Sequence, residues 1–221
     1  MACGCNLCIS FDSYISRSEE EKLKYRQEVL ERLIMISRIN VIQADFEVVP
    51  RPFSTSNNLE GIYDPHKKKI TIFPYSMDNY IHVRVVLHEV LHWRYHRDVS
   101  DPILKEVLEG LVDSLTFSLI CKNLTKEFKY FSSDLYQTSS KFTLSMLLYQ
   151  VSERDGYSIE DILEQWERHE LIQNISREIR EGNHQCYPLT PYCIYSAVDI
   201  TSKVTGFDLE ASLMDPNLFC K

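Results

Sequence analysis

The sequence predicts an α+β protein: a small sheet of about three strands packed on one buried helix, then a mainly helical C-terminal part. Three observations predict it. Residues 83–93 are aliphatic at nearly every position that is not His or Glu, with helical spacing. Residues 61–73 alternate as a hairpin does, and 3.6-residue periodicity returns in several segments after residue 140.

Taken in order, residues 1–18 form a cysteine-containing N-terminal tail. Residues 19–38 are charged at their start and apolar at Leu23, Leu30, Leu33 and Ile36, the pattern of an amphipathic helix. Val41–Val49 alternates as a strand, and Pro50–Glu60 is a polar loop. Gly61–Phe73 reads as a hairpin with its turn at Asp64–Lys68, where His66 sits beside three lysines and belongs to the surface. A helix follows over Val83–Trp93. Asp101 and Pro102 are an N-cap and a first helical residue, and Leu104, Leu108, Leu111, Leu115 and Leu119 stripe the helix they open. Further helices are predicted over Lys141–Glu153, over Ser158–Arg180 from a Ser-x-x-Asp cap, and from Pro191 to about Thr205. Ile162, Trp166 and His169 share a face of the second of these, which makes His169 a packed histidine. Residues 19–125 form the expected core, and residues 126–221 a helical part of the same domain.

The chemistry is concentrated in His88-Glu89-Val90-Leu91-His92. Residues four apart share a helix face, so His88 and His92 can aim a ring nitrogen at one divalent cation. Glu89 stands beside them, placed to take a proton from a metal-bound water and deliver it to a leaving amine. Val83, Val86, Leu87, Val90 and Leu91 make this a buried helix, in which polar side chains cost free energy unless paired or liganded. H-E-x-x-H on a helix is the zinc metallopeptidase pattern.

A tetrahedral catalytic zinc takes three protein ligands and leaves one position open. His96 continues the series, but a helix rises about 1.5 Å per residue, which sets His88 and His96 about 12 Å apart along the axis. Asp98 would need a glycine turn before it, and Tyr95 occupies that place. Glu106, Glu109 and Asp113 form an acidic stripe on the next helix, which has no basic residue from Glu106 to Ile120. That stripe is expected to face inward, with Gly110 allowing a close approach to the motif helix.

Glu109-Gly110-Leu111-Val112-Asp113 has the form E-x-x-x-D, and with His88-Glu89-x-x-His92 it resembles the gluzincins, the thermolysin-like clan of zinc peptidases, including compact ImmA/IrrE-type members. The resemblance covers about residues 60–120. It implies a zincin-like fold, with Zn²⁺ on His88, His92 and Glu109, Glu89 as general base, and Asp113 fixing the tautomer of a ligand histidine. It also implies that the strand Lys69–Phe73 runs along a cleft where an extended peptide adds to a sheet edge.

The expectation is thus a zinc-dependent intracellular peptidase acting on a peptide or protein substrate. The alternative is a non-proteolytic regulatory or binding protein that keeps zinc as structure, for which an intact Glu89 would have no use. For the developing oxyanion, His184, Tyr187, Tyr192 and Tyr195 are the available donors, with nothing to choose among them. A net charge of −8 argues against nucleic acid as a partner. No 18-residue apolar run argues for a membrane span, and the N-terminus lacks signal-peptide regions, so a cytoplasmic address is expected. Cys5-x-x-Cys8 has the loop of a half zinc knuckle, and Cys186 with Cys193 could complete a second, structural zinc site. Their wide spacing, with Pro188 and Pro191 between, counts against that site, which leaves disulfides, expected in an oxidising compartment or a hyperthermophile cytosol, or free thiols for Cys3, Cys5, Cys8, Cys121, Cys186, Cys193 and Cys220.

Overall fold

The computed structural model describes residues 6–41, 43–50, 59–74, 80–124, 140–182 and 190–208. Cys3, Cys5, His184, Cys186, Tyr187, Cys220 and most of the loop at 50–60 lie outside these. The chain is α+β and divides into two compact units, residues 1–96 with 119–131, and residues 97–118 with 132–221.

In the first unit, β1 (Ile9–Ser10) leads into α1 (Phe11–Ile15), and α2 spans Glu19–Ser37. Ser18 caps α2 in a full capping box with Glu21, which satisfies donors that the first turn leaves open. The buried stripe of α2 is Tyr25, Val29, Leu33 and Ile36. Leu23, expected on that stripe, is 48% exposed: at a four-residue repeat the face that buries Tyr25 and Val29 turns Leu23 outward.

Three strands form the main sheet: β2 (Phe46–Val48), β3 (Gly61–Asp64) and β4 (Lys69–Ile72), in the order β2-β4-β3. β2 runs parallel to β4, and β3 pairs with it as the predicted hairpin, with Gly61 opposite Ile72 and Tyr63 opposite Ile70. Asp64 builds the turn by accepting from the His66 and Lys67 N–H groups, and Lys68 takes a positive φ of 51°. The predicted strand at residues 41–49 shrinks to β2 because Ala44 N–H turns back to the Val41 carbonyl at 2.8 Å. Alternation sorts the faces. Phe46, Ile70 and Ile72 are buried, while Glu47 on the opposite face pairs with Lys69 at 2.6 Å and accepts from Thr71 at 3.3 Å.

The sheet packs on α3 (Val83–Arg94), through both β3 and β4. All five expected apolar residues of α3 are 1% exposed or less. Its start is braced by β5 (Tyr80–Ile81), which pairs antiparallel with β1. Val83 N–H, which has no intrahelical acceptor, donates to Cys8 Sγ at 3.4 Å, and Tyr25 hydroxyl holds the Leu7 carbonyl at 2.6 Å. These N-terminal residues are thus more than the expected tail, and two-residue strands carry too little pattern to be legible in the sequence.

The helix α4 runs Pro102–Leu124, with residues up to 118 in the second unit. Asp101 Oδ1 accepts from Ile103 N–H at 2.9 Å and Leu104 N–H at 3.1 Å, the predicted cap. The second unit continues with α5 (Ser140–Asp155), α6 (Ile159–Glu164), α7 (Glu170–Glu181) and α8 (Thr190–Thr205). Gly110 does allow a close approach, but to α5: a Cβ there would lie 2.9 Å from Leu144 Cγ and from Leu148 Cδ1. Ser114 Oγ, 2.5 Å from the Ser145 carbonyl, seals the same contact.

The single helix expected over residues 158–180 is two helices. The Ser158–Asp161 capping box opens α6 as predicted, but Arg97 then takes the Leu163 carbonyl at 2.7 Å, which ends the ladder. His169 restarts it as N-cap, its Nδ1 accepting from Leu171 N–H at 3.2 Å. His169 is therefore a buried structural histidine, as expected, and burial lowers its pKa against the raising effect of Asp161 and Glu170.

Cys8, Cys121 and Cys193 are disulfide-bonded, one of the alternatives left open, and not free thiols, which removes Cys8 and Cys193 as thiolate ligands for a second zinc. No helix among the described residues is long and apolar enough to cross a membrane.

Candidate metal centre

The aliphatic residues of α3 fix the rotation of that helix against the sheet, and so fix where its polar residues point. His88 and His92, one turn apart, are half-buried and meet: their Nε2 atoms are 3.1 Å apart, with ring centroids 4.7 Å apart and planes at 71°. Two imidazole nitrogens bound tetrahedrally at about 2.0–2.1 Å to one zinc would be about 3.3 Å apart. The pair therefore has the spacing that one ion requires, with the same nitrogen presented by each ring. Arg94 and the C-terminal end of α3 follow immediately, and Tyr95 N–H closes the helix on the Leu91 carbonyl at 2.8 Å.

Glu89 is the only buried acidic side chain among the described residues, at 6% exposed. It lies under β3. A Cβ built on Gly61 would be 2.8 Å from Glu89 Cγ and 2.9 Å from Oε1. Sequence reasoning placed Gly61 only as the first residue of a hairpin; the available signal was an isolated glycine at a strand, which marks close approach of another group.

The other histidines have separate occupations. His66 is exposed in the β3–β4 turn, as expected. His82 is the N-cap residue of α3 and lies against Tyr80, and exposed His96 sits edge-on to Tyr63 at 5.7 Å. Asp98 is exposed.

In the second unit, Glu106, Glu109 and Asp113 are each half-buried along α4, so the acidic stripe is partly withdrawn from solvent. Burial raises the Glu106 pKa, Lys141 opposes this, and the negative charges of Glu109 and Asp113 add to it. Tyr192 and Tyr195 are 66% and 61% exposed on α8. Comparison with protein-family models, with curated proteins and with solved structures finds no match.

Proposed function

We propose that the protein is a zinc-dependent peptidase of zincin-like architecture, with His88, His92 and Glu109 as metal ligands and Glu89 as general base. The observation that carries the reading is the convergence of the two Nε2 atoms on the buried α3, with Glu89 beside them. Glu109, half-buried on α4, is the third ligand that the E-x-x-x-D pattern proposes. Two neutral imidazoles and one carboxylate are a donor set suited to a catalytic zinc. Bound there, the ion supplies Lewis acidity, polarising the scissile carbonyl and the attacking water.

The chain's own residues do the rest. His88 and His92 are pre-positioned by helix geometry, so little ordering is needed on binding. Glu89, buried and therefore held in one place, accepts the proton of the attacking water and returns it to the leaving amine. Asp113, one turn after Glu109 on α4, is proposed to hold the far nitrogen of a ligand histidine and fix its tautomer. β3 is an edge strand of its sheet, and it is β3, not the β4 strand first assigned to the cleft, that lies over Glu89. An extended peptide is expected to add along that edge.

The cytoplasmic address now has the disulfides at Cys8, Cys121 and Cys193 against it, because a reducing cytosol does not keep such bonds.

The ligand assignment is tested by zinc affinity. Glu109→Gln is expected to weaken binding sharply, Asp113→Asn by roughly 10- to 100-fold, and Glu106→Gln and Asp98→Asn hardly at all. An equal loss from Glu106→Gln would move the third ligand to Glu106. The peptidase activity is tested by comparing wild type with Glu89→Gln.

A further inference from the structure

We propose that Gly61 is a positioning residue for Glu89: the missing side chain on β3 leaves the space that sets where the general base stands. This rests on the peptidase reading for its catalytic consequence, but the contact itself does not.

Gly61 is not needed here for a left-handed backbone, since the positive-φ glycines are Gly156 and Gly206. It pairs in ordinary antiparallel register with Ile72, a conformation that any residue adopts. What distinguishes the position is room. A methyl group there would sit 2.8 Å from Glu89 Cγ, 2.9 Å from Oε1 and 3.1 Å from Cδ, closer than carbon and oxygen atoms pack. The clash involves Cγ as well as the carboxylate tip, so a small rotation at the end of the chain does not relieve it.

The strand cannot easily retreat either. Glu60, the preceding residue, is ion-paired with Arg84 of α3, and its carbonyl accepts from Phe73 N–H at 2.7 Å. β3 is thus tied to the motif helix on one side of Gly61 and to β4 on the other. Glu89 in turn projects from a helix whose Leu87, Val90 and Leu91 are all 0% exposed, so the helix backbone is held as well. The displacement that an added methyl requires falls on the Glu89 side chain. A catalytic group shifted by about 1 Å loses on the order of 10²-fold in rate, because the proton it must take is no longer within reach.

The test is a double-mutant cycle with two readouts, melting temperature and steady-state kinetics. Gly61→Ala in the wild-type background is expected to lower the melting temperature by roughly 3–10 °C. In a Glu89→Ala background, where Cγ and the carboxylate are gone, the same substitution is expected to cost about 1 °C or less. Failure of Gly61→Ala to fold beside recovery in Gly61→Ala/Glu89→Ala gives the same answer. An equal loss in both backgrounds, or failure to fold in both, overturns the proposal, because Gly61 would then be required for something other than Glu89. In the zinc-loaded protein, Gly61→Ala is expected to lower kcat by about 10- to 100-fold with KM and zinc content unchanged. A raised KM at unchanged kcat overturns the positioning role. If wild type and Glu89→Gln leave identical cleavage fragments in native extract, the peptidase reading fails, while the melting cycle still judges the contact.

Discussion

Glu89→Gln is expected to abolish turnover while leaving both metal and fold in place. The substitution keeps the size and shape of the side chain in a space bounded by Gly61, and removes only its capacity to take a proton. Positioned general bases contribute roughly 10²- to 10⁴-fold, so hydrolysis should fall by that factor. Because Glu89 is not among the proposed ligands, zinc content should remain at about one equivalent. The melting temperature should stay within about 4 °C, the effect of roughly 1 kcal/mol in a chain of this size. A substrate confined to one specific protein would escape a generic peptide assay, so the informative comparison is of cleavage fragments in native extract with wild type and with Glu89→Gln. Identical fragment patterns would contradict the peptidase reading and leave a binding protein on a metal-holding scaffold.

His88→Ala/His92→Ala is expected to lose the metal altogether. Each substitution removes one of the two nitrogens that face each other at 3.1 Å, and a single carboxylate retains no useful zinc affinity. The loss should also be visible in stability. A metal that binds only the folded state at a thousand times its Kd stabilises by roughly 4 kcal/mol, or about 10 °C for a chain of this length. A chelator should therefore lower the melting temperature of wild type by about that amount and leave the double variant unmoved. Equal chelator sensitivity in both proteins would place the metal elsewhere.

How far the sequence discloses this site depends on the distance over which each feature is encoded. The His88–His92 pair and Glu89 are legible because helix geometry alone relates residues within one turn. The β3–β4 hairpin is legible because Asp64 encodes its own turn, and the start of α4 because Asp101 and Pro102 form a local cap. Features made by distant residues are not. The break between α6 and α7 is enforced by Arg97, more than sixty residues before it, and no pattern within residues 158–180 announces it. Gly110 signals a close approach but not its partner, which is Leu144 and Leu148 on α5. Leu23 fails for a different reason: α2 is apolar on more than one side, and Tyr25 and Val29 compete successfully for the core. The disulfides at Cys8, Cys121 and Cys193 are legible as cysteines only, since spacing does not fix whether thiols are joined. The place of Gly61 against Glu89 depends on how β3 crosses α3, and the glycine alone could only indicate that something comes near.

The central claim is that one metal ion sits on the histidines of α3, and X-ray absorption at the zinc edge of the loaded wild-type protein tests it most directly. The account predicts one equivalent of zinc with only nitrogen and oxygen neighbours, and the outer-shell scattering of two imidazole rings, lost in His88→Ala/His92→Ala. Sulfur neighbours at about 2.3 Å, or no stoichiometric zinc at all, would contradict it.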